Sequence, residues 1–172
     1  VTAGAPSPEE LLAVAEGAAA AAAAVLVEFA GRMGPHEISA KSTPTDLVSE
    51  ADITAEQAIR RVLLARRPLD AVLGEEGDDK PGETGLRWVV DPLDGTINYL
   101  FGLPQWCVSV ACEGQAGVIL DPVRDEWFRV TAGGAATLGG VPLVPSTCED
   151  LGRALVATGF GYNSEVRRVQ AA

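Results

Sequence analysis

The chain changes texture at Pro68, and that change limits what it can fold into. Before it, apolar residues recur at helical spacing in two long segments. After it, they come in short runs broken by Gly, Pro and Asp. Ser7-Pro8-Glu9-Glu10 supplies a Ser N-cap, a Pro at the first helical position and a Glu at N3 that closes a capping box. Leu11, Leu12, Val14, Val25, Leu26 and Phe29 then predict the apolar face of a helix running to about Arg32, stopped by Gly34-Pro35. Within it the alanine run Ala18–Ala24 is too short and too weakly apolar to span a bilayer and reads as helix. A second helix is predicted from Ser49-Glu50-Ala51-Asp52 through Ile53, Ile59, Leu63 and Leu64 to Arg66-Arg67-Pro68. The runs Ala71–Leu73, Arg87–Val90, Trp106–Cys112, Ala116–Leu120 and Trp127–Thr131 read as strands, and Arg153–Ala157 is a further apolar run before a polar tail. Helices first and strands after predict an α+β layer, with two long helices covering one face of a largely antiparallel sheet.

Charge narrows the partners. Acids outnumber bases 24 to 13, for a formal net charge of −11. A nucleic-acid binder needs clustered Lys and Arg, and attachment to an anionic membrane surface needs the same, so neither partner is expected. With 47% hydrophobic and 22% charged residues, the chain has the composition of a soluble globular protein. Cys107, Cys112 and Cys148 include no CxxC pair, which argues against a disulfide framework or a thiolate zinc site and for a reducing, cytoplasmic setting. The first residues lack the basic start of an export signal. The sole histidine, His36, falls in a turn and reads as solvated.

Three acidic segments interrupt this framework: Lys41–Asp52, Leu73-Gly74-Glu75-Glu76-Gly77, and Trp88-Val-Val-Asp91-Pro92-Leu93-Asp94-Gly95-Thr96-Ile97-Asn98. The third carries the most chemistry. Val89 and Val90 end a buried strand, so the Asp91 carboxylate emerges at its C-terminal end. Pro92 and Gly95 force a tight turn that can aim Asp94 back toward Asp91 and leave the Leu93 carbonyl facing the same space. Two carboxylates and a carbonyl form an all-oxygen set suited to Mg²⁺ or Mn²⁺, not zinc. Gly95-Thr96 is a possible helix start, whose free N–H groups attract phosphate. Taken alone, Asp-Pro-Leu-Asp-Gly is better read as a plain turn. That reading weakens because Leu73-Gly74-Glu75 has the same form, an apolar strand delivering an acid at its end. Gathered together, Glu75, Asp91 and Asp94 would repel unless a cation neutralised them. Glu76 and Asp78–Asp79 read as a solvated acidic loop, and helix capping at N3 competes with any chemical role for Asp52.

The ordered set of motifs closely resembles the inositol monophosphatase family of Mg²⁺-dependent, lithium-sensitive sugar phosphatases. Lys41–Asp52, Gly74-Glu75-Glu76 and Trp88–Asn98 are similar to its characteristic segments. The likeness continues through Gly102-Leu-Pro-Gln-Trp-Cys-Val-Ser-Val, Gly117-Val-Ile-Leu-Asp121-Pro-Val-Arg-Asp125-Glu and Ala157-Thr-Gly-Phe160. Several motifs in order are far more specific than any one of them. The resemblance implies a layered αβαβα sugar-phosphatase fold and two or three Mg²⁺ ions, with Mn²⁺ a possible substitute. By the same resemblance, Glu75, Asp91 and the Leu93 carbonyl hold the first metal, and Asp91 and Asp94 the second. Glu75 also reaches a third ion through water. Thr96 orients the attacking water, Asp52 accepts from the Thr96 hydroxyl, and the Gly95 and Thr96 amides cradle the phosphate together with Asp94. Lys41 and Asp46 carry only a supporting charge role. The implied reaction is hydrolysis of a small polyol phosphate, most of all inositol 1-phosphate, by in-line attack of metal-activated water in a homodimer. Histidinol phosphate, fructose 1,6-bisphosphate and a nucleotide 3′-phosphate are alternative substrates, and a non-catalytic metal-binding or interaction module is an alternative of a different class.

Some features depart from the family pattern. Ile97 stands where a second Thr is common, and the Cys112–Gln115 connection is short. The family's C-terminal α/β half carries a Trp-Asp motif supplying a ligand of the second metal, whereas Trp88, Trp106 and Trp127 precede Val, Cys and Phe. The expected organisation is therefore a flexible leader over 1–7, a metal-binding α+β domain over 8–145, and the beginning of a second α/β domain over 146–172. An isolated first domain is expected to expose apolar surface that the second would cover.

Overall fold

The computed structural model describes residues 5–30, 50–77, 79–157, 159 and 163–171. The expectations for Gly34-Pro35, His36, Lys41, Asp46 and the Ser49 cap lie outside these residues. Helix α1 (Pro8–Ala30) begins as its sequence predicts. Glu10 N–H donates to Ser7 Oγ (3.1 Å) and Ser7 N–H to Glu10 Oε2 (2.8 Å), a reciprocal capping box. Its buried face differs from the expected one. Ala15, Ala18, Ala19, Ala22 and Ala23 line it between Leu11 and Leu26, while Leu12, Val14, Val25 and Phe29 pack at its margins. Small side chains let the helix axis approach its neighbours closely, so the alanines occupy the centre and the larger residues flank it. By length and composition alone α1 would pass for a membrane span. The burial of its alanine face against the sheet and α2 is that of a core helix.

Helix α2 (Glu50–Arg66) presents Ala51, Asp52, Ala55, Glu56, Ile59 and Leu63 inward. This stripe is acidic at its N-terminal end and aliphatic at its C-terminal end. Seven strands follow as a meander in sequence order: β1 (Ala71–Leu73), β2 (Arg87–Asp94), β3 (Cys107–Cys112), β4 (Ala116–Asp121), β5 (Glu126–Thr131), β6 (Thr137–Leu138) and β7 (Val141–Pro142). Only β1 and β2 run parallel; every other pair is antiparallel. The Trp88↔Cys112↔Ala116 and Val90↔Val110↔Val118 registers put these residues on the face that α1 and α2 cover. The opposite face carries Ser109, Ala111, Ile119, Phe128 and Val130 around an open groove of about 290 Å³. The Cys112–Gln115 connection is a tight hairpin in which Gln115 N–H donates to Cys112 O (3.0 Å) and Gly114 takes φ 67°.

A buried hub closes the sheet's first edge. Asp70, 0% exposed, accepts from Arg67 Nε (2.8 Å) and Nη2 (3.0 Å), Thr84 Oγ1 (2.6 Å) and Trp88 Nε1 (2.9 Å). Arg153–Ala157 forms no strand, and Leu155 and Val156 stand exposed. The short helix α4 (Ser164–Gln170), capped by Asn163, buries none of its residues.

Candidate metal and phosphate site

The site forms where β1 and β2 end and α2 begins. Its central device is a bulge in β2. Asp91 pairs with Ser109 and Asp94 with Cys107, so three steps along β2 match two along β3. In a regular strand, residues three apart point to opposite faces. The extra residue brings both carboxylates to the same face, and Pro92 and Leu93, consecutive in sequence, both turn into the core. Pro92 suits a bulge because it has no N–H to leave unpaired. Leu93 N–H donates to Asp91 Oδ1 (3.1 Å), and the Cys107 thiol lies 3.8 Å from Asp94 Oδ2. That thiol is pushed up to about 12 by burial and the Asp94 and Asp91 charges, so it is a neutral donor.

Gly95 ends the bulge and caps helix α3 (Thr96–Leu100) in a left-handed conformation, φ 95°. A Cβ there would lie 2.7 Å from Gln105 O and 3.2 Å from Trp106 Cα, so both the conformation and the space require glycine. The turn carries Thr96 to a point where its Oγ1 is 2.9 Å from Leu93 O and 3.3 Å from Asp52 Oδ2. Asp52 is thus the buried acid of the group, 3% exposed, in the first turn of α2.

Glu75 arrives from the other side, in the loop after β1. It lies within hydrogen-bonding reach of Asp91, and both feel neighbouring charge. Burial, then Glu75 and Asp94, raise Asp91 to about 6 against the pull of the Leu93 N–H. Burial, then Glu76, Glu75 and Asp91, raise Asp52 to about 7 against the Thr96 hydrogen bond. Burial, then Glu76, raises Glu75 as well. A divalent cation would reverse this, favouring every charged form at once.

Glu75, Asp91, Leu93, Asp94, Gly95, Thr96 and Asp52 therefore belong to one neighbourhood. Glu75 and Asp94 are exposed, while Asp91 is half-buried behind them. Among the described residues, no three His, Cys, Asp or Glu side chains close into a cage for an ion. The donor set still fits Mg²⁺, which keeps several waters and takes one or two carboxylates plus substrate phosphate oxygens rather than an all-protein cage. Two residues were misread or missed from sequence. Glu76 is half-buried rather than solvated, with its N–H donating to Glu56 Oε2 (2.7 Å). Glu56 itself, 2% exposed, drew no notice, although an acid one turn after Asp52 on the inward stripe of α2 was the signal.

Known proteins are similar to this chain in sequence and in fold. The family model described as the inositol monophosphatase family matches residues 7–172. The inositol-1-monophosphatase of Rhizobium meliloti (strain 1021) is 42% identical over 121 residues, covering 67% of this chain and 46% of that protein. The Nus factor SuhB of Pseudomonas aeruginosa is 42% identical over 124 residues, covering 68% and 46%. The solved structure of Mycobacterium tuberculosis SuhB superimposes with a TM-score of 0.78 at 31% identity, over 97% of this chain and 64% of that one. The chain thus spans about half to two thirds of the length of these relatives. With its motifs, its helix-on-sheet layer and its acid cluster in place, the chain belongs to the inositol monophosphatase family.

Proposed function

We propose that this chain carries the divalent-metal and phosphate-binding part of a phosphomonoesterase that hydrolyses a small polyol phosphate, with inositol 1-phosphate the favoured substrate. The observation that carries the reading is the placement of the Thr96 hydroxyl between Asp52 and the Leu93 carbonyl, beside Glu75 and Asp91. Glu75, Asp91 and the Leu93 carbonyl would hold one Mg²⁺, and Asp91 with Asp94 a second. When bound, these ions acidify water and neutralise charge on the phosphate and the leaving oxygen. The protein's own part is orientation. The Thr96 hydroxyl has one proton, given to Leu93 O or to Asp52, so its oxygen remains an acceptor that can turn a water toward phosphorus. Asp52 would fix that hydroxyl from beneath, and the Gly95–Thr96 amides at the start of α3 would receive phosphate oxygens. Cytoplasmic residence, supported by three free cysteines, and a homodimer complete the proposal.

Phosphate release from inositol 1-phosphate, histidinol phosphate and fructose 1,6-bisphosphate, each with Mg²⁺ and with EDTA, tests it. Release that needs Mg²⁺, is inhibited by LiCl but not KCl, and disappears in a folded Asp91→Asn variant is expected. Equal release with EDTA, or by Asp91→Asn, would overturn the site. A second reading rests on the name of the Pseudomonas relative, a Nus factor. Divalent-ion binding without hydrolysis of any ester would favour such an interaction role.

A further inference from the structure

Beneath the Glu75 loop, a buried carboxylate and a half-buried guanidinium have no part in the chemistry above. Glu56, 2% exposed on the inward stripe of α2, uses both carboxylate oxygens. Oε1 accepts from Arg60 Nε at 2.6 Å, and Oε2 accepts from the Glu76 N–H at 2.7 Å. The loop is shaped to this support. A Cβ on Gly74 would fall 2.5 Å from Glu56 Oε1 and 2.6 Å from Arg60 Nη2; one on Gly77 would fall 2.6 Å from the same Oε1. The backbone on both sides of Glu75-Glu76 therefore lies directly on the Glu56–Arg60 pair, and a side chain at either glycine would push that pair aside. Burying a carboxylate is costly unless it is paired and hydrogen-bonded. Here the pairing is spent on holding one loop amide in register, twenty residues away in sequence.

We infer that Glu56, locked by Arg60, is a positioning residue that sets the Glu75 carboxylate for the divalent ion by clamping the adjacent Glu76 amide. The inference rests on the reading of Glu75 as a metal ligand. It differs from a merely structural role because it ties an interior carboxylate on α2 to metal affinity. Outer partners that orient a ligand typically change metal affinity about 10–100-fold when removed. A glutamine cannot replace Glu56. Whichever way its amide turns, an NH₂ donor faces either the Arg60 or the Glu76 donor.

The test uses Mn²⁺ as the probe, with free ion read by electron paramagnetic resonance in titrations of the whole chain. Wild type, Glu56→Gln, Gly77→Ala and Glu75→Gln are compared, with circular dichroism confirming the fold of each. Gly77→Ala leaves every polar group in place and perturbs the clamp from the loop side, so it carries the test if Glu56→Gln does not fold. Mn²⁺ affinity about tenfold weaker in Glu56→Gln and Gly77→Ala is expected, with faster amide hydrogen exchange across 74–77 and native secondary structure. Wild-type affinity in these two variants, alongside weakened affinity in Glu75→Gln, would overturn the inference and leave the metal reading standing. Wild-type affinity in Glu75→Gln would remove the metal reading itself, and the inference with it.

Discussion

Gly95→Ala is the substitution whose consequence the structure specifies most closely. Two costs add. The residue sits at φ 95°, where an L side chain costs about 1–2 kcal/mol. Its new Cβ would also lie 2.7 Å from Gln105 O and 3.2 Å from Trp106 Cα, backbone atoms just before β3, the first of which already accepts from Asn98 Nδ2 at 2.7 Å. Overpacking of this kind costs about 1–3 kcal/mol. The sum is about 2–5 kcal/mol, and at roughly 2–4 °C per kcal/mol for a chain of this size the melting point should fall by about 4–20 °C. Gly102→Ala is the matched control. It too has positive φ, 71°, but a Cβ there meets nothing within 4 Å. Thermal denaturation by circular dichroism should therefore show Gly102→Ala losing only the conformational part. Mn²⁺ titration should show Gly95→Ala alone weakened, because relief of the collision moves Asp94 and Thr96. Equal melting losses in the two variants would refute the claim that the Gln105–Trp106 backbone closes the space over Gly95.

Other perturbations have equally definite outcomes. Asp70→Asn removes the charge that two Arg67 donors, Thr84 and Trp88 share, and breaking such a buried pair costs about 3–5 kcal/mol, read from urea denaturation at pH 7. Burial opposes the Asp70 charge, but the Arg67, Thr84 and Trp88 hydrogen bonds outweigh it and hold the carboxyl below its ordinary 3.8. Its stabilisation is thus complete above that value and lost as pH falls through the lower folded one, so Asp70→Asn should flatten the acid limb of the stability curve. Tyr99→Phe leaves the Leu26 carbonyl, which accepts from the Tyr99 hydroxyl at 2.6 Å, without that partner and should cost about 1–3 kcal/mol in the same assay. Mg²⁺ at a hundredfold excess over Kd should stabilise the wild type by about 2.7 kcal/mol, seen as a higher melting point, and leave Asp91→Asn unmoved.

Much of this molecule was legible from local pattern. Ser7-Pro8-Glu9-Glu10 identified the start of α1, because a capping box is a contact between residues three apart and needs nothing beyond its own turn. The five apolar runs from Ala71 to Thr131 marked strands, since alternation along a strand is set by which face is buried. Asp91-Pro92-Leu93-Asp94-Gly95-Thr96 named its own chemistry: oxygen donors, a residue without an N–H, and a glycine where the chain must turn. The ordered motifs carried the family.

Other features needed the third dimension. That Asp91 and Asp94 share a face depends on a bulge, which exists only relative to the register of β3. The central alanines of α1 outrank its larger side chains in burial because α2 and the sheet approach it closely, a distance no helical wheel contains. Arg153–Ala157 is an apolar run that, among the described residues, pairs with no strand. Glu56 is the clearest case. As sequence it is one more acid on a helix, and only the fold lays the Gly74–Gly77 loop across it. Sequence by itself determined which oxygen-bearing residues stand together along the chain and the elements that carry them, because both are local. Tertiary structure decided which acids are buried, which face each other and which one holds another in place, because burial and distance between segments twenty or forty residues apart are properties of packing alone.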